Sequence, residues 1–210
     1  AKCVLTGASP CDSMTNPTTG ATTKITVQAT SSRNLFTWNA GGVALNWTNL
    51  STAEQTALNT NTAGTVDNQG QQRVQWLQGV RSVEQLATPT PGNLRARTYV
   101  LGDIINSSPT FVGQPTSGAL PDGFYDQLYP TATNPENAAT AANKYSAFSP
   151  SNANRINMVY AGGNDGFLHG FEAGVTGNGA PGAASNDGKE LLGYMPYDVL
   201  MNKAVNLADP

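Results

Sequence analysis

Short runs in which apolar and polar residues alternate, separated by turn-forming residues, recur along this chain of 210 residues. Alternation of this kind is typical of half-buried β-strands. Strands are predicted at residues 24–28, 35–38, 99–101, 104–105, 109–113, 156–161, 167–172 and 190–195. The sequence Gly-Asn-Asp-Gly at 163–166 predicts a tight hairpin turn between two of these strands. The pattern therefore favours a mainly β fold with many loops.

A few short helices interrupt this pattern. Helices are predicted at residues 52–58, 72–78 and 138–145. The first begins with a capping-box pattern, in which Ser51 is followed three residues later by Glu54. The second is expected to end at Gly79, because glycine favours the backbone conformation that terminates a helix. The third lies in a long insertion, residues 114–154, whose other residues are predicted to form loops.

The chain divides into two parts at a Pro/Thr-rich linker, residues 88–92. Residues 1–92 are predicted to be a loop-rich segment with short strands and helices. In residues 93–210, strand, turn, strand, glycine-containing loop and strand follow one another, which is the pattern of a β-propeller blade. A blade needs about 40–45 residues and a ring at least four blades, so this part predicts an incomplete propeller.

The composition narrows the class of protein. Only 12% of the residues are charged, whereas 39% are hydrophobic, and threonine, asparagine and glycine supply the polarity. This style is associated with exported surface proteins. A net charge of −3 with 11 basic residues gives no basic patch for nucleic acid, and no apolar run is long enough to span a membrane. Cys3 and Cys11 are predicted to form a small disulfide loop, which suits an oxidising compartment.

Residues for catalysis or metal binding are sparse. His169 is the sole histidine, so a Ser-His-Asp site would have to use it. Asp165 lies four residues earlier, across the predicted turn, and this spacing is interpreted as giving no relay geometry. His169 is therefore expected to be a hydrogen-bonded core residue. The turn offers one carboxylate, too few for calcium, and no metal or cofactor site is predicted in this chain.

Four arginines are predicted to have structural roles near the start of the propeller. They are Arg73, Arg81, Arg95 and Arg97. Glu84 and Asp103 are their predicted ion-pair partners.

Three motifs between about residues 72 and 200 resemble the PilY/PilC-type proteins, large proteins associated with the tip of the bacterial type IV pilus. MVYAGGNDGFLHGF at 158–171, continued by GKELLGYMP at 188–196, resembles the first full blade of their propeller. LRAR at 94–97 and LGDIINSSP at 101–109 resemble its beginning, and QRVQWLQG at 72–79 resembles the segment just before it. The three motifs occur in the order of the family.

The resemblance implies a non-enzymatic, exported protein that acts in pilus assembly and surface or host-cell adhesion. Its location would be the pilus tip or cell surface, with the periplasm or outer membrane as places of transit. Implied partners are the minor pilins of the tip complex, a host or abiotic surface, and the remainder of its own propeller. The calcium loop of the family has no counterpart here, so calcium is expected elsewhere in a full-length member.

Aromatic residues of the long insertion are candidate partner contacts, because aromatic side chains contribute much of the binding energy at interfaces. They are Tyr125, Tyr129, Tyr145 and Phe148. Ordinary loop packing is the alternative role for these four residues. Two other functions remain open from the sequence: a fragment of a quinoprotein-like propeller oxidoreductase, and a structural subunit of a filament or surface layer.

Overall fold

A computed structural model describes residues 2–3, 13–15, 22–24, 33–85, 92–115, 128, 144–173 and 189–210. The chain forms two compact units, described separately below. The first comprises residues 1–110, 160–171 and 189–210, and the second comprises residues 111–159 and 172–188. Residues 88–91 of the predicted linker at 88–92 lie outside the described residues, and the predicted division at residue 92 stays a prediction.

The strands of the described residues form two sheets. They are β1 (Lys2–Cys3), β2 (Ser13–Thr15), β3 (Thr22–Lys24), β4 (Leu35–Trp38), β5 (Gly42–Ala44), β6 (Thr110–Val112), β7 (Met158–Gly162), β8 (Leu168–Glu172) and β9 (Glu190–Tyr194). A three-stranded sheet has the order β1-β2-β3, and a six-stranded sheet has the order β5-β4-β9-β8-β7-β6. In the larger sheet β4 lies parallel to β9, whereas β9 lies antiparallel to β8. The sheet is mixed and does not close, which confirms the prediction of a mainly β, partial fold.

Short helices accompany the sheets. They are α1 (Thr52–Leu58), α2 (Gly70–Gln78), α3 (Tyr145–Ser151), α4 (Tyr197–Asn202) and α5 (Ala204–Ala208), with 3-10 turns at Trp47–Asn49 and Arg81–Val83. The capping box is present: the hydroxyl of Ser51 accepts the amide of Glu54, whose carboxylate accepts the amide of Ser51. Gly79 ends α2 in the left-handed conformation, with φ 99°. Both helices of the first half are therefore confirmed, the second starting two residues earlier than predicted.

The core of the first unit lies on one face of the β4-β9-β8 strands. Leu35, Phe167 and Met195 point into it, and each is at most 5% exposed. Helices α1, α2, α4 and α5 supply the opposite wall of this core, since α4 contacts β4 and the four helices contact one another. Alternate residues of the same strands, such as Phe36 and Leu168, lie on the exposed face.

The strands predicted at 99–101 and 104–105 are wrong, because this segment is irregular in the structure. Its polar groups bond to the β7–β8 hairpin instead of to a strand ladder. The amide of Gly102 donates to the carboxylate of Asp165 (2.9 Å), and the carbonyl of Asp103 accepts the amide of Asn164 (2.9 Å). Asn106 adopts a positive φ of 60°, which interrupts extended backbone.

In the second unit, part of the predicted loop is helical. Helix α3 covers Tyr145–Ser151, whereas the prediction placed a helix at 138–145 and loop after it. Residues 138–143 lie outside the described residues. Pro150 cannot donate to a preceding carbonyl, and the helix ends one residue later. The hydroxyl of Ser149 donates to the carbonyl of Pro115 (3.2 Å), which anchors the helix within this unit.

Candidate functional site

A group of four charged side chains lies at and beside the β7–β8 hairpin. Its turn forms as predicted: the amide of Gly163 donates to the carbonyl of Phe167 (2.8 Å), and Gly166 has a φ of 86°. The turn places Asp165 just before the start of β8, where its carboxylate accepts a hydrogen bond from the amide of Phe167 (3.3 Å). The same carboxylate then faces His169 on β8.

His169 lies fully buried between two carboxylates. Its Nε2 is 3.0 Å from Oδ1 of Asp165, and its Nδ1 is 2.7 Å from Oε1 of Glu190 on β9. Arg33 completes the row, since its Nε donates to Oε2 of Glu190 (2.6 Å). We call Arg33, Glu190, His169 and Asp165 the buried charge row.

The charge row fixes the protonation of its members. Burial lowers the pKa of His169, but hydrogen bonds with Asp165 and Glu190 outweigh it and raise that pKa to about 9. Burial raises the pKa of Glu190, but hydrogen bonds from His169 and Arg33 outweigh it and lower that pKa to about 2. For Asp165, burial is likewise outweighed by the bond from His169, and its pKa is lowered. At neutral pH the row therefore consists of two cations alternating with two anions.

The row extends from helix α2 to the segment before β6. Nη1 of Arg33 lies 3.4 Å from the carbonyl oxygen of Leu77 and 3.3 Å from that of Gln78, at the C-terminus of α2, where carbonyls lack helical partners. At the other end, Asp165 accepts the amide of Gly102. The row thus connects five segments of the chain, at residues 33, 77–78, 102, 165–169 and 190, which is a structural role.

The structure corrects the interpretation that the spacing of Asp165 and His169 across the turn gives no relay geometry, because the two side chains are hydrogen-bonded. It agrees with the expectation that His169 is a hydrogen-bonded core residue. Both ring nitrogens already face carboxylates, so neither is directed at a nucleophile. Arg33 and Glu190 were not predicted as site residues. The signal available in the sequence was that each lies at or just before the start of an apolar strand, Arg33 before β4 and Glu190 at the start of β9.

Two further charge clusters hold the helices together. Arg73, 1% exposed, donates to Asp67 (2.6 Å) and to Asp209 (2.8 Å). Hydrogen bonding with Arg73 lowers the pKa of Asp67. These partners differ from the predicted ones, Glu84 and Asp103, because Asp67 and Asp209 lie beside α2 in the fold.

Glu84 pairs with two of the predicted arginines. Arg81 lies 2.9 Å from Glu84, and Arg97 lies 2.8 Å from it. The guanidinium of Arg97 also stacks 3.7 Å from the ring centroid of Trp76, and that of Arg95 lies 5.3 Å from it. The predicted structural role of these arginines is confirmed, with Trp76 as the partner of Arg95.

An apolar row lies on the exposed face of the large sheet. Phe36 pairs with Ala44 on β5 and with Tyr194 on β9, and Tyr194 pairs with Leu168 on β8. Phe36 and Leu168 are 37% and 41% exposed. Trp38, two residues along β4 on the same face, is 52% exposed. We call Ala44, Phe36, Trp38, Tyr194 and Leu168 the apolar row. An exposed uncharged patch of this kind is a candidate contact surface.

The predicted contact residues are only partly described. Tyr145 and Phe148 lie on α3 with ring centroids 5.8 Å apart, and Phe148 is 44% exposed. Tyr125 and Tyr129 lie outside the described residues. Cys3 lies on β1, but Cys11 also lies outside them, so the disulfide stays a prediction.

Within the described ranges, no group of three or more His, Cys, Asp or Glu side chains has an arrangement that could hold a metal ion. In the same part of the chain, no helix has the length and apolar character of a membrane span.

Comparison with known proteins places the chain among pilus factors. It is 38% identical over 125 residues to the type IV pilus biogenesis factor PilY1 homolog of Xylella fastidiosa, covering 60% of this chain and 8% of that protein. It is 31% identical over 190 residues to the type IV pilus biogenesis factor PilY1 of Pseudomonas aeruginosa strain PAK, covering 90% of this chain and 13% of that protein. No protein-family model and no solved structure matches. The similarities confirm the resemblance found in the sequence: the chain is of the PilY1 type, and it spans about a tenth of the length of the curated relatives it matches.

Proposed function

We propose that this chain acts in bacterial type IV pilus biogenesis as a non-catalytic part of a pilus-tip protein. The observation that carries the proposal is its similarity to proteins named type IV pilus biogenesis factor, over up to 90% of its length. The protein would be exported and would act at the cell surface. Minor pilins of the tip complex, and a host or abiotic surface, are the proposed partners.

The buried charge row supports a structural role. His169 holds two carboxylates and is fully buried, so it is removed from any substrate. Breaking such a row would leave uncompensated charges inside the protein, which strongly destabilises a fold. We propose that the row keeps rigid the sheet whose opposite face carries the apolar row.

Helix α3 is one proposed contact surface. The ring of Phe148 packs against that of Tyr145, with the centroids 5.8 Å apart. Because Phe148 is still 44% exposed, its ring is restrained by this contact and remains accessible to solvent. Aromatic rings in this state bind partners at low entropic cost. We propose that Tyr145 and Phe148, together with Tyr125 and Tyr129 of the same insertion, contact pilins or an attachment surface.

The apolar row is a second proposed contact surface. We propose that it packs against another β-sheet of the same PilY1-type polypeptide, as neighbouring propeller blades do. The curated relatives are about ten times longer than the matched stretch, so their polypeptide is long enough to contain further sheets. The row is uncharged, which suits an apolar sheet face better than a charged partner.

The test is made with the full-length protein in the bacterium that encodes it. Deleting the stretch that corresponds to residues 33–210, with secretion of the remainder checked, is expected to abolish surface pili and twitching motility. Restoring the stretch is expected to restore both. Normal piliation and motility in the deletion strain would contradict the proposal.

Location separates the proposed role from the alternatives. Immunogold labelling confined to filament ends would support a tip protein, whereas labelling along the filament would indicate a structural subunit. Bound quinone with dye-linked dehydrogenase activity in the purified full-length protein would indicate the oxidoreductase.

A further inference from the structure

Strand β9 lies between β8 and β4 without a tight turn to fix its position. Residues 173–189 connect β8 to β9, a much longer link than the two- to five-residue turns that set hairpin register. Strand β4 precedes β9 by more than a hundred residues and pairs with it in parallel. The register of β9 must therefore be set by its own side chains.

The alternation of buried and exposed side chains along β9 excludes only some of the alternative pairing registers. A slip by one residue would turn every side chain to the opposite face of the sheet. A slip by two residues keeps each side chain on its original face, so the buried and exposed patterns would survive. The sheet needs a further device against this second error.

Gly193 provides a steric device. It lies opposite both Leu35 and His169, and a Cβ at this position would approach Cδ2 of Leu35 to 2.4 Å. Such a distance is below normal van der Waals contact, so a larger side chain opposite Leu35 would require the Leu35 side chain, which is packed in the core, to move from its place. A two-residue slip of β9 would place Leu191 or Met195 there.

Glu190 provides an electrostatic device. Its two carboxylate oxygens bond to Arg33 and His169, whose side chains are 5% and 0% exposed. A slip by two residues moves a strand by about 7 Å, beyond hydrogen-bond reach. Both cations would then lose this carboxylate inside the protein, which is strongly unfavourable.

We infer that Glu190 and Gly193 together set the register of β9, and that the buried charge row is a device for register specificity. The consequence is that Tyr194 stands between Phe36 and Leu168 and completes the apolar row. Only the use of that row as a contact surface depends on the proposed function; the register itself does not.

The test compares Glu190→Gln with the parent in the 210-residue chain by nuclear magnetic resonance. The amides of Gly193 and Met195, which donate to Asn34 and Phe36, are expected to exchange roughly tenfold faster relative to those of α2. Contacts of the slipped register, between Leu168 and Leu192, are also expected to appear beside the parental contact of Leu168 with Tyr194.

Glu84→Gln is the matched control, because Glu84 is also a buried acid with two arginine partners but does not touch β9. It is expected to leave the β9 contacts unchanged. If Glu190→Gln does not fold, Arg33→Lys replaces it and is expected to give the same changes at smaller amplitude. Parental contacts and exchange in the variant, or equal loss of protection in β9 and α2, would overturn the inference.

Discussion

His169 and Asp165 are hydrogen-bonded across the turn of the β7–β8 hairpin, with Nε2 and Oδ1 3.0 Å apart. The turn is short enough that four residues of sequence bring a strand side chain and a turn side chain together. Because Glu190 holds the other ring nitrogen, the imidazole is a cation enclosed by two anions. The stability of the sheet should therefore depend on His169.

Replacing His169 with glutamine is expected to lower the free energy of unfolding by about 3–5 kcal/mol. Glutamine removes the charge and leaves the two carboxylates facing each other in a buried place. Urea unfolding followed by circular dichroism measures the change. Lys203→Gln, which removes a cation from an exposed position, is the control and should shift the free energy by less than about 0.5 kcal/mol. Equal effects of the two substitutions would contradict the prediction.

Stability is expected to fall as the pH rises from about 6.5 to 9. The pKa of His169 is about 9 in the folded protein and near its ordinary value of 6.5 in the unfolded chain. In this interval the folded protein holds a proton that the unfolded chain releases, so higher pH favours unfolding. The full difference corresponds to about 3 kcal/mol.

Glu190 produces the opposite dependence at acid pH. Its pKa is about 2 when folded and 4.5 when unfolded, so its contribution is present above pH 4.5 and is lost as the pH falls towards 2.

Urea unfolding at pH 5.5, 7.5 and 9 measures the fall in stability on the alkaline side, which is assigned to His169. The decline should disappear in His169→Gln, and a decline of the same size in that variant would assign it to other groups.

Arg73 is expected to stabilise the packing of the residues around Asp209 against helix α2. Replacing it with methionine leaves Asp67 and Asp209 without their buried cation, and should cost about 3–5 kcal/mol. Arg81→Met is the matched control, because that side chain is 47% exposed and its ion pair should contribute less than about 1 kcal/mol. Similar unfolding free energies for the two variants would show that the buried ion pairs of Arg73 contribute no more to stability than the exposed ion pair of Arg81.

Local signals in the sequence predicted local structure well. The capping box at Ser51 and Glu54, the strand Leu35–Trp38 and the turn at Gly166 each depend on residues within a few positions of one another. Helices α4 and α5 lie just after the last predicted strand and had no prediction. They cover the apolar core, so tertiary packing rather than a local cap stabilises them.

The buried charge row could not be read from the sequence, since its members come from distant places. Arg33 and Glu190 are 157 positions apart, and only the parallel pairing of β4 with β9 brings them together. The hydrophobic pattern showed that both strands exist but not that they are neighbours. The same limit applies to the apolar row, which four strands form jointly.

Phe148 is expected to matter for partner binding and not for folding. Because its ring is 44% exposed, Phe148→Ala should lower the unfolding free energy by less than about 1 kcal/mol. In the full-length protein the same substitution should reduce surface attachment or piliation several-fold. Asn154→Ala, an exposed change in the turn after α3, is the control. Parental attachment and piliation in Phe148→Ala would remove this surface from the proposal.

Substitutions in the apolar row are expected to destabilise the full-length protein more than the 210-residue chain alone. Phe36→Ser with Leu168→Ser replaces two side chains that are more than a third exposed, so the chain alone should lose about 1 kcal/mol or less. In the full-length protein the row is proposed to be covered by another sheet, and the hydroxyls would then be buried without partners.

Limited proteolysis of the full-length protein measures this difference. The double variant should be cut several-fold faster than the parent, whereas Gln71→Ser on the exposed side of α2 should not change the rate. The chain alone should show no such difference, since its row already faces solvent. Equal cleavage rates of the full-length parent and double variant would mean that no second sheet covers the row, and the proposed packing of this face would be wrong.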